Sequence, residues 1–480
     1  MINKNLAFLI ILVINVVFIP IDSYASDESL IDTSALTLSS ISNQQVEEHP
    51  MPDIFMVIPF ITLLLMIATG PLFYHKFWEK HYPKIAILLG LITVGYYLIV
   101  LHDTHTPLHT LDEYISFIAL LGSLFVASGG ILIKIDRKST PMLNSVLFLF
   151  GAVIANIIGT TGASMLLIRP FLKLNKDRIK PYHIIFFIFI VSNIGGALTP
   201  IGDPPLFLGF LKGVEFFWVI GHVWYIWLPT VITIISIFYF IDSRNMPDAA
   251  SEIKYSNKIE FKGIRSVFFL AIIIVSVFID PAVIDWVPSF DPLPIGIREI
   301  IMLSIIFIAY KSAPPEILAA NEFDFEPIKE VAYLFVGIFA TMMPALQIIA
   351  NESNIYGQSL TPGIFYWATG SLSAFLDNAP TYLNFLSAAM GKFNFDINIP
   401  DQVLQFELAH PIYLSAVSVA AVFFGAMTYI GNGPNFMVKS ISERAGIRMP
   451  SFFGFLFKYA VPVLLPIFTL VWLVFYFGKV

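Results

Sequence analysis

Two aspartates of this chain stand inside long apolar stretches of the sequence, where a carboxylate is costly to place. Asp203 lies in the string Gly-Ala-Leu-Thr-Pro-Ile-Gly-Asp-Pro-Pro (196–205), and Asp377 opens the string Asp-Asn-Ala-Pro-Thr (377–381). An ionisable side chain at membrane depth is by default a functional-site candidate. Because burial disfavours the ionised form and a bound cation favours it, a proton and a metal cation compete for such a group. We therefore predict that Asp203 and Asp377 are proton- and ion-exchanging carboxylates.

The string around Asp203 has a counterpart far along the chain, Gly-Ala-Met-Thr-Tyr-Ile-Gly-Asn-Gly-Pro (425–434). Both strings read Gly-Ala-(Leu/Met)-Thr-x-Ile-Gly-(Asp/Asn)-x-Pro. Glycine and proline interrupt a helix and free backbone groups that lipid cannot satisfy, so such a break lines an enclosed or wet cavity. A matched pair of interrupted helices, one in each half of a chain, indicates the midplane binding site of a transporter.

The composition places these motifs in an all-α, polytopic helical membrane protein. Hydrophobic residues make up 57% of the 480 residues and charged residues 13%, with a mean hydropathy of +0.79, whereas a soluble domain carries about 25% charged residues. No basic stripe or zinc-type spacing indicates a nucleic-acid partner. The chain has no cysteine, which excludes disulfides and thiol catalysis. It also has no nucleophile–base set or cofactor fingerprint, so we expect neither an enzyme nor a bound cofactor.

The chain divides into five predicted segments. Residues 1–25 have a basic, an apolar and a small-residue region in the order typical of a signal peptide, with an uncleaved first helix as the alternative. Residues 26–53 are polar and predict an external segment without a packed core. Basic residues fall in 242–265, which predicts a cytoplasmic linker between a first transporter half (54–241) and a second transporter half (266–480).

Each half is predicted to contain a re-entrant hairpin and a broken helix. Residues 142–172 have basic flanks at both ends, so they cross an even number of times, yet they are too short for two full spans. We therefore predict a hairpin with its tip at 156–162, and a second hairpin at 361–390. The broken helices are predicted at 183–211 and 411–437. Loop charges give the two halves opposite orientations, which is the inverted repeat of many transporters.

The two hairpin tips and the two helix breaks are expected to meet around one ion. Their neutral side chains offer oxygen atoms and no soft donor, which is the chemistry of a hard cation such as Na⁺. The predicted ion-binding residues are Asn156, Thr160, Thr161, Asn193, Thr199, Asn378, Thr381, Thr428, Asn432 and Asn435. Both aspartates also have structural interpretations. Asp377 fits the N-cap of a returning half-helix, and Asp203 before two prolines fits a turn.

The string Ser-Asn-Ile-Gly-Gly-Ala-Leu-Thr-Pro-Ile-Gly-Asp-Pro-Pro-Leu-Phe-Leu-Gly-Phe (192–210), together with Phe-Leu-Asp-Asn-Ala-Pro-Thr (375–381), resembles the ion transporter superfamily. Within it the chain is similar to NhaD-type sodium/proton antiporters and their citrate-transporter-like relatives, over about residues 54–478. The resemblance implies paired hairpins and broken helices around a central ion site, often in a homodimer whose transport domain moves against a scaffold. The citrate branch carries Ser-Asn-Thr triplets at both tips, and this chain has neither.

These observations favour a multi-pass antiporter of a bacterial inner membrane that exchanges Na⁺ or Li⁺ for H⁺, with the lipid bilayer and a second copy of the chain in a homodimer as its other partners. An organic anion beside two carboxylates would lose several kcal/mol at low effective dielectric unless cations shielded it. The alternative is Na⁺- or H⁺-coupled transport of citrate or a dicarboxylate on the same scaffold. A third alternative, efflux of an oxyanion, is supported only by the resemblance to the superfamily. A channel is the alternative from a different class of membrane protein.

Overall fold

The computed structural model describes residues 51–245, 256–279, 287–288, 290 and 293–479. The predicted signal peptide and nearly all of the predicted external segment lie outside these residues. The described chain from Pro52 onward forms one compact unit.

Helices account for most of the described residues. Their bounds are α1 Ile58–Phe73, α2 His75–Ile99, α3 His105–Gly129, α4 Pro141–Leu174, α5 Pro181–Ile190, α6 Pro204–Leu211, α7 Trp218–Asp242, α8 Ile264–Val277, α9 Ile297–Ser312, α10 Pro315–Ala320, α11 Glu326–Tyr356, α12 Pro362–Ser373, α13 Asn378–Lys392, α14 Pro400–Ala409, α15 Pro411–Gly425, α16 Gly433–Arg444, α17 Phe452–Phe455 and α18 Val461–Phe475. A π-helical turn, Leu456–Ala460, joins the last two. Two strands, β1 Leu132–Asp136 and β2 Lys258–Lys262, and the 3₁₀ helices Ile54–Val57, Ile194–Gly196 and Gly357–Ser359 complete the regular structure of the described residues.

The lengths and apolar character of these helices confirm the all-α, polytopic membrane fold. Among the described residues, seven helices are long and apolar enough to cross a membrane, and eight if α14 and α15, which meet at a bend of 100°, count as one span. Spans of about twenty apolar residues match the thickness of the hydrocarbon core. The chain is therefore a multi-pass membrane protein.

The 34-residue helix α4 is folded back on itself at Gly159. Gly159 has φ 77° and ψ 155°, a backbone conformation that glycine adopts without the steric penalty of a side chain. Asn144 and Asn175 exchange two side-chain hydrogen bonds of 2.9 Å, and the rings of Phe148 and Phe171 lie 5.1 Å apart. Because residues equally far before and after the tip contact each other, the two arms run antiparallel. This confirms the first predicted hairpin.

The second hairpin consists of α12 and α13 with residues 374–377 between them. Lys392 Nζ at the end of α13 donates to the carbonyl oxygen of Leu360, just before α12, at 2.7 Å. Asp377 is the N-cap of α13, and its Oδ1 accepts a hydrogen bond of 3.0 Å from the N–H of Ala379. The hairpin thus closes at its base and reverses next to Asp377, as predicted.

Each hairpin is followed by a broken helix. In the first, α5 and α6 are separated by residues 191–203, which contain a 3₁₀ turn, Ile194–Gly196. In the second, α15 and α16 are separated by residues 426–432. The second arm, α16, continues to Arg444 and is one to two turns longer than predicted. The order hairpin, then broken helix, therefore occurs twice, while the opposite orientation of the two halves stays a prediction.

The linker predicted at 242–265 contains a strand that sequence analysis overlooked. Strands β1 and β2 pair antiparallel, from Leu132 opposite Lys262 to Asp136 opposite Lys258. From its second residue on in β1, and throughout β2, each strand alternates apolar and charged residues, a period-two pattern typical of strands. β1 is partly buried, whereas β2 is exposed along its whole length. The pairing ties the linker to the segment that follows α3.

A buried ion pair fixes the end of α6 that is remote from Asp203. Lys212 Nζ lies 2.8 Å from Glu113 Oε1 on α3, and the two side chains are only 4% and 6% exposed. Lys212 Nζ also donates to Asn398 Oδ1 at 2.8 Å. Removing one partner of a buried pair leaves an uncompensated charge, which costs about 3–5 kcal/mol.

We expect Glu113→Gln to lower the free energy of unfolding by about 3 kcal/mol, because Lys212 then keeps only the neutral Asn398 as a strong partner. Thermal unfolding of the detergent-solubilised protein measures the loss. Glu326→Gln is the matched control, since Glu326 pairs with Lys329 on the surface, where the two side chains are 68% and 57% exposed. An equal shift in the two variants would contradict the prediction.

Candidate ion-binding site

Asp203 stands at the point where the first helix break ends and α6 begins. Asp203 is the N-cap residue of α6 and has an extended backbone, φ −143° and ψ 144°. Pro204 follows at the first helical position, where proline favours the start of a helix. The Asp203 side chain makes no capping bond to its own helix and the residue is 1% exposed. Its carboxylate is therefore directed to other parts of the chain.

Three side chains from three different elements donate hydrogen bonds to this carboxylate. Thr160 Oγ1, from the first hairpin tip, donates to Oδ1 at 2.7 Å. Asn378 Nδ2, from the second tip, donates to Oδ2 at 2.7 Å, and Asn432 Nδ2, from the second break, donates to Oδ1 at 2.9 Å. Both tips and both breaks thus meet at one carboxylate. Hydrogen bonds to an ionised acceptor are short and strong, so they offset much of the cost of burying Asp203.

The first tip is joined to the first break by hydrogen bonds of Asn156. Its Nδ2 donates to the carbonyl oxygen of Gly195 at 2.7 Å, and its Oδ1 accepts from the N–H of Leu198 at 2.8 Å. Thr199 Oγ1 donates to the carbonyl oxygen of Asn156 at 2.6 Å. Asn156 and Thr199, both predicted to be ion ligands, here satisfy backbone groups that the break leaves without helical partners, as an apolar surrounding requires.

The second break is satisfied in the same way by Thr428 and Asn435. Thr428 Oγ1 donates to the carbonyl oxygen of Ala374 at 2.6 Å and accepts from the N–H of Gly431 at 3.2 Å. Asn435 Nδ2 donates to the carbonyl oxygens of Gly425 and Thr428, each at 2.9 Å. These two predicted ligands therefore also have structural hydrogen bonds in this conformation.

Two carboxamide oxygens in the same region have no hydrogen-bond partner. They are Asn193 Oδ1 and Asn378 Oδ1, which are buried and unpaired among the residues that the structure describes. Asn193 Nδ2 donates to Asn435 Oδ1 at 2.6 Å, which links the two breaks and fixes the orientation of its amide. A buried oxygen acceptor without a donor is the group that a cation could coordinate.

Gly425 packs closely against these amides. A Cβ atom built on Gly425 would stand 3.2 Å from Asn193 Oδ1 and from the carbonyl oxygen of Gly431, and 3.3 Å from Asn378 Nδ2. These distances are shorter than ordinary van der Waals contact, so glycine at this position allows an unpaired amide oxygen and a backbone oxygen to lie close to the same point of the backbone. Oxygen ligands of this kind suit a small, hard cation.

The remaining predicted residues occupy the margins of the site. Asp377 is partly buried and caps α13 through Oδ1, so the N-cap interpretation describes its geometry. Thr381 Oγ1 donates to the carbonyl oxygen of Asp377 at 2.8 Å, within the helix. Thr161 and Gly159 line a cavity of about 10 Å³ beside Pro204, the space of roughly one water-sized sphere.

One contributor was not among the predicted residues. The carbonyl oxygen of Ser192 accepts a hydrogen bond from Asn432 Nδ2 at 3.2 Å, and its hydroxyl lies 2.8 Å from that of Ser164 on the second arm of α4. Ser192 directly precedes Asn193 in the quoted motif, so its position was visible. Its partners were not, because they lie 28 and 240 residues away.

Two hairpins whose tips meet two broken helices at a buried polar centre define a secondary transporter. The comparison with family models agrees: the model of the family CitMHS_2, described as "Putative citrate transport", matches residues 49–476. The chain belongs to this family. A search of curated proteins finds no match.

Proposed function

We propose that the chain exchanges Na⁺ or Li⁺ for H⁺ across a bacterial inner membrane, with Asp203 as the exchanging carboxylate. The observation that carries this proposal is that Asp203 is 1% exposed and accepts hydrogen bonds from both hairpin tips and from the second helix break. An intramembrane carboxylate in such a position is a natural exchange group. The family match is compatible with cation exchange and with citrate transport alike.

In the cation-bound state, oxygen atoms of Asp203, Asn193 and Asn378 would coordinate the ion. The two amide oxygens are buried and unpaired among the described residues, so they can take a cation without losing an existing hydrogen bond. When the cation leaves, a proton would neutralise the carboxylate instead. Proton and cation would thus alternate on one group, which is the coupling that an antiporter requires.

Protonation of Asp203 would also change its hydrogen bonds to the hairpin tips. A protonated carboxyl group is a donor, and its hydrogen needs an acceptor. Thr160 can accept this hydrogen by rotating its hydroxyl alone, whereas Asn378 has to turn its whole amide over to accept it, and the amide N–H group of Asn432 that faces Asp203 only donates. We infer that Thr160 is the residue through which the protonation state of Asp203 changes the position of the first tip.

Asp377 is retained as the second exchanging carboxylate of this proposal. Its Oδ1 caps the helix, while its other carboxylate oxygen makes no hydrogen bond with a described residue and remains available to a cation or proton. Two acids would allow two protons to be exchanged for one ion. The homodimer that the resemblance implies also stays a prediction.

Sodium- or proton-coupled transport of citrate or a dicarboxylate is the second candidate, and the description of the matched family, "Putative citrate transport", motivates it. The ionised Asp203 argues against a bare tricarboxylate in the same place, because like charges at low effective dielectric repel strongly. Citrate would therefore need at least one cation bound with it. This requirement makes the two candidates separable by experiment.

Reconstitution of the full chain in liposomes with an internal pH dye tests the proposal. We expect Na⁺ and Li⁺ to drive proton movement, K⁺ to have little effect, and labelled citrate not to accumulate. Liposomes with the variant Asp203→Asn are the control, since they retain the protein but not the exchanging charge. Saturable, sodium-dependent accumulation of citrate without cation-driven proton movement would overturn the proposal in favour of the second candidate.

A further inference from the structure

Arg169 is a buried cation whose hydrogen-bonding capacity is largely unused. It lies on the second arm of α4, ten residues after the tip glycine, and is 9% exposed. Its one hydrogen bond runs from Nη2 to Glu322 Oε2 at 3.4 Å. Nε and Nη1 are buried and have no partner among the residues that the structure describes.

Glu322 is a weak partner for this guanidinium. Charge-assisted hydrogen bonds between a cationic nitrogen and a carboxylate are typically about 2.7–2.9 Å long, and 3.4 Å lies well outside that range. The side chain of Glu322 is 69% exposed, so water screens its charge. Glu322 therefore leaves most of the charge of Arg169 uncompensated.

A second cation acts on the same group. Arg444, at the end of α16, is close enough to Arg169 to interact with it electrostatically. Arg444 is exposed, so water screens its charge, but it adds to the positive charge around the buried Arg169, for which Glu322 is a weak counter-ion. Buried donors without acceptors are costly, and an anion bound to Arg169 would give acceptors to the two nitrogens that have none among the described residues.

We propose that Arg169 binds an oxyanion group, a phosphate or a carboxylate, at the junction of α4, α16 and the turn that holds Glu322. The planar guanidinium offers paired N–H donors in a geometry that matches two oxygens of such a group. Arg444 adds the second positive charge. This site goes beyond the proposed exchange function, because it takes an anion whereas the site at Asp203 takes a cation.

The anion site is separate from the cation site. An α-helix rises 1.5 Å per residue, so the ten residues between Gly159 and Arg169 place the Cα atom of Arg169 about 15 Å from the tip. Arg169 lies toward the end of the hairpin that the charge pattern assigns to the cytoplasm. The oxyanion is therefore a free phosphate or carboxylate of that compartment, or the phosphate of a lipid headgroup.

Thermal unfolding of the purified full chain tests this proposal, because a ligand stabilises the state that binds it. Inorganic phosphate, citrate and a short-chain phosphatidylglycerol are added separately and compared with chloride at equal ionic strength. We expect a rise in the unfolding temperature that saturates with phosphate or with the lipid, and no rise in Arg169→Gln. Arg448→Gln, which removes an exposed arginine, is the matched control and keeps the rise.

Glu322→Gln gives a second and independent result. Because the carboxylate of Glu322 competes with the anion for Arg169, we expect its removal to lower the apparent Kd about two- to fivefold, the worth of a screened ion pair. If Arg169→Gln does not fold, the affinity measured with Glu322→Gln tests the proposal on its own. An unchanged or weaker affinity in Glu322→Gln, or no saturable rise in the wild type with any of the three compounds, overturns the proposal.

These outcomes are independent of the proposed exchange. A rise with the lipid alone identifies a headgroup as the source of the oxyanion. A rise with phosphate, or a rise with citrate that is lost in Arg169→Gln, identifies a free anion bound at Arg169 and not at the site of Asp203. Failure of sodium-driven proton movement in liposomes would leave the binding result unaffected. Loss of anion binding would likewise leave the assignment of Asp203 in place.

Discussion

Asp203→Asn is expected to reduce sodium-driven proton movement in liposomes by at least about 100-fold, since removing even supporting residues of a metal site costs about 10- to 100-fold in affinity. The substitution keeps the shape of the side chain and removes its charge. Without that charge the proton and the cation lose the central group for which they compete, and Asp377 at the margin of the site is the one proposed carboxylate that remains. The rate of dye response after a sodium pulse measures the effect.

The same substitution is expected to leave the protein folded. The new amide group would present N–H donors to one of its three neighbours, which are donors themselves. Asn378 can turn its amide by half a rotation, because its Oδ1 is unpaired and can then accept from the substituted residue. The local hydrogen bonds are thereby restored without moving either hairpin tip.

Asp401→Asn is the matched control for this experiment. Asp401 is exposed in the first turn of α14 and the substitution removes the same charge from the surface. We expect wild-type exchange from this variant. Wild-type exchange from Asp203→Asn as well would show that the buried carboxylate is not the exchanging group.

Gly202→Ala is expected to lower the free energy of unfolding by about 3 kcal/mol or more, the upper end of the cost of forcing atoms into a packed interior. A Cβ atom on Gly202 would stand 2.1 Å from the carbonyl oxygen of Gly196 and 3.0 Å from Asn156 Oδ1. The first of these is a backbone atom within the break, so it cannot turn aside as a flexible side chain would. The monodisperse fraction after purification and the unfolding temperature measure the loss.

Gly433→Ala is the comparison that isolates this steric cause. Gly433 begins α16 just after the second break, and a Cβ atom there would have no neighbour within 4 Å. Alanine is also about 1 kcal/mol better than glycine within a helix. We expect this variant to be at least as stable as the wild type. Equal stability of Gly202→Ala would mean that residues 196 and 202 do not approach each other as described.

The hairpins and broken helices were predictable because their causes are local. Basic residues at both ends of 142–172 excluded a single crossing, and the glycine and proline of the repeated motif excluded a continuous helix. Gly159 lies in the middle of the predicted tip, where the backbone adopts a positive φ. Each of these features follows from residues within a few turns of one another.

The hydrogen-bond partner of each polar side chain in the site could not be predicted, since it depends on residues far apart in sequence. Thr160 and Asn156 are both polar residues of the same tip, yet one donates to Asp203 and the other satisfies the backbone of the first break. Asn193 and Asn435 are 242 residues apart and share a hydrogen bond. Composition identifies such residues as polar at membrane depth but does not assign their partners.

The two-stranded sheet was missed for a related reason. Five residues of alternating character in a basic linker are too few to distinguish a strand from a solvated loop, and the partner strand lies more than a hundred residues earlier. A strand of this length is stable only when it is paired. The local sequence pattern therefore shows the alternation of a strand but does not identify the strand with which it pairs.

The carboxylate at the centre of the site comes from the first half of the chain, while two of its three donors, Asn378 and Asn432, come from the second. A fragment that stops before residue 378 would keep the acid and only the Thr160 hydroxyl to solvate it. Bringing such an acid into a dry interior without its other donors is expensive. Folding of the first half around Asp203 is thus thermodynamically coupled to completion of the polypeptide, so that a prematurely terminated chain carries an unfinished centre rather than half of a working one.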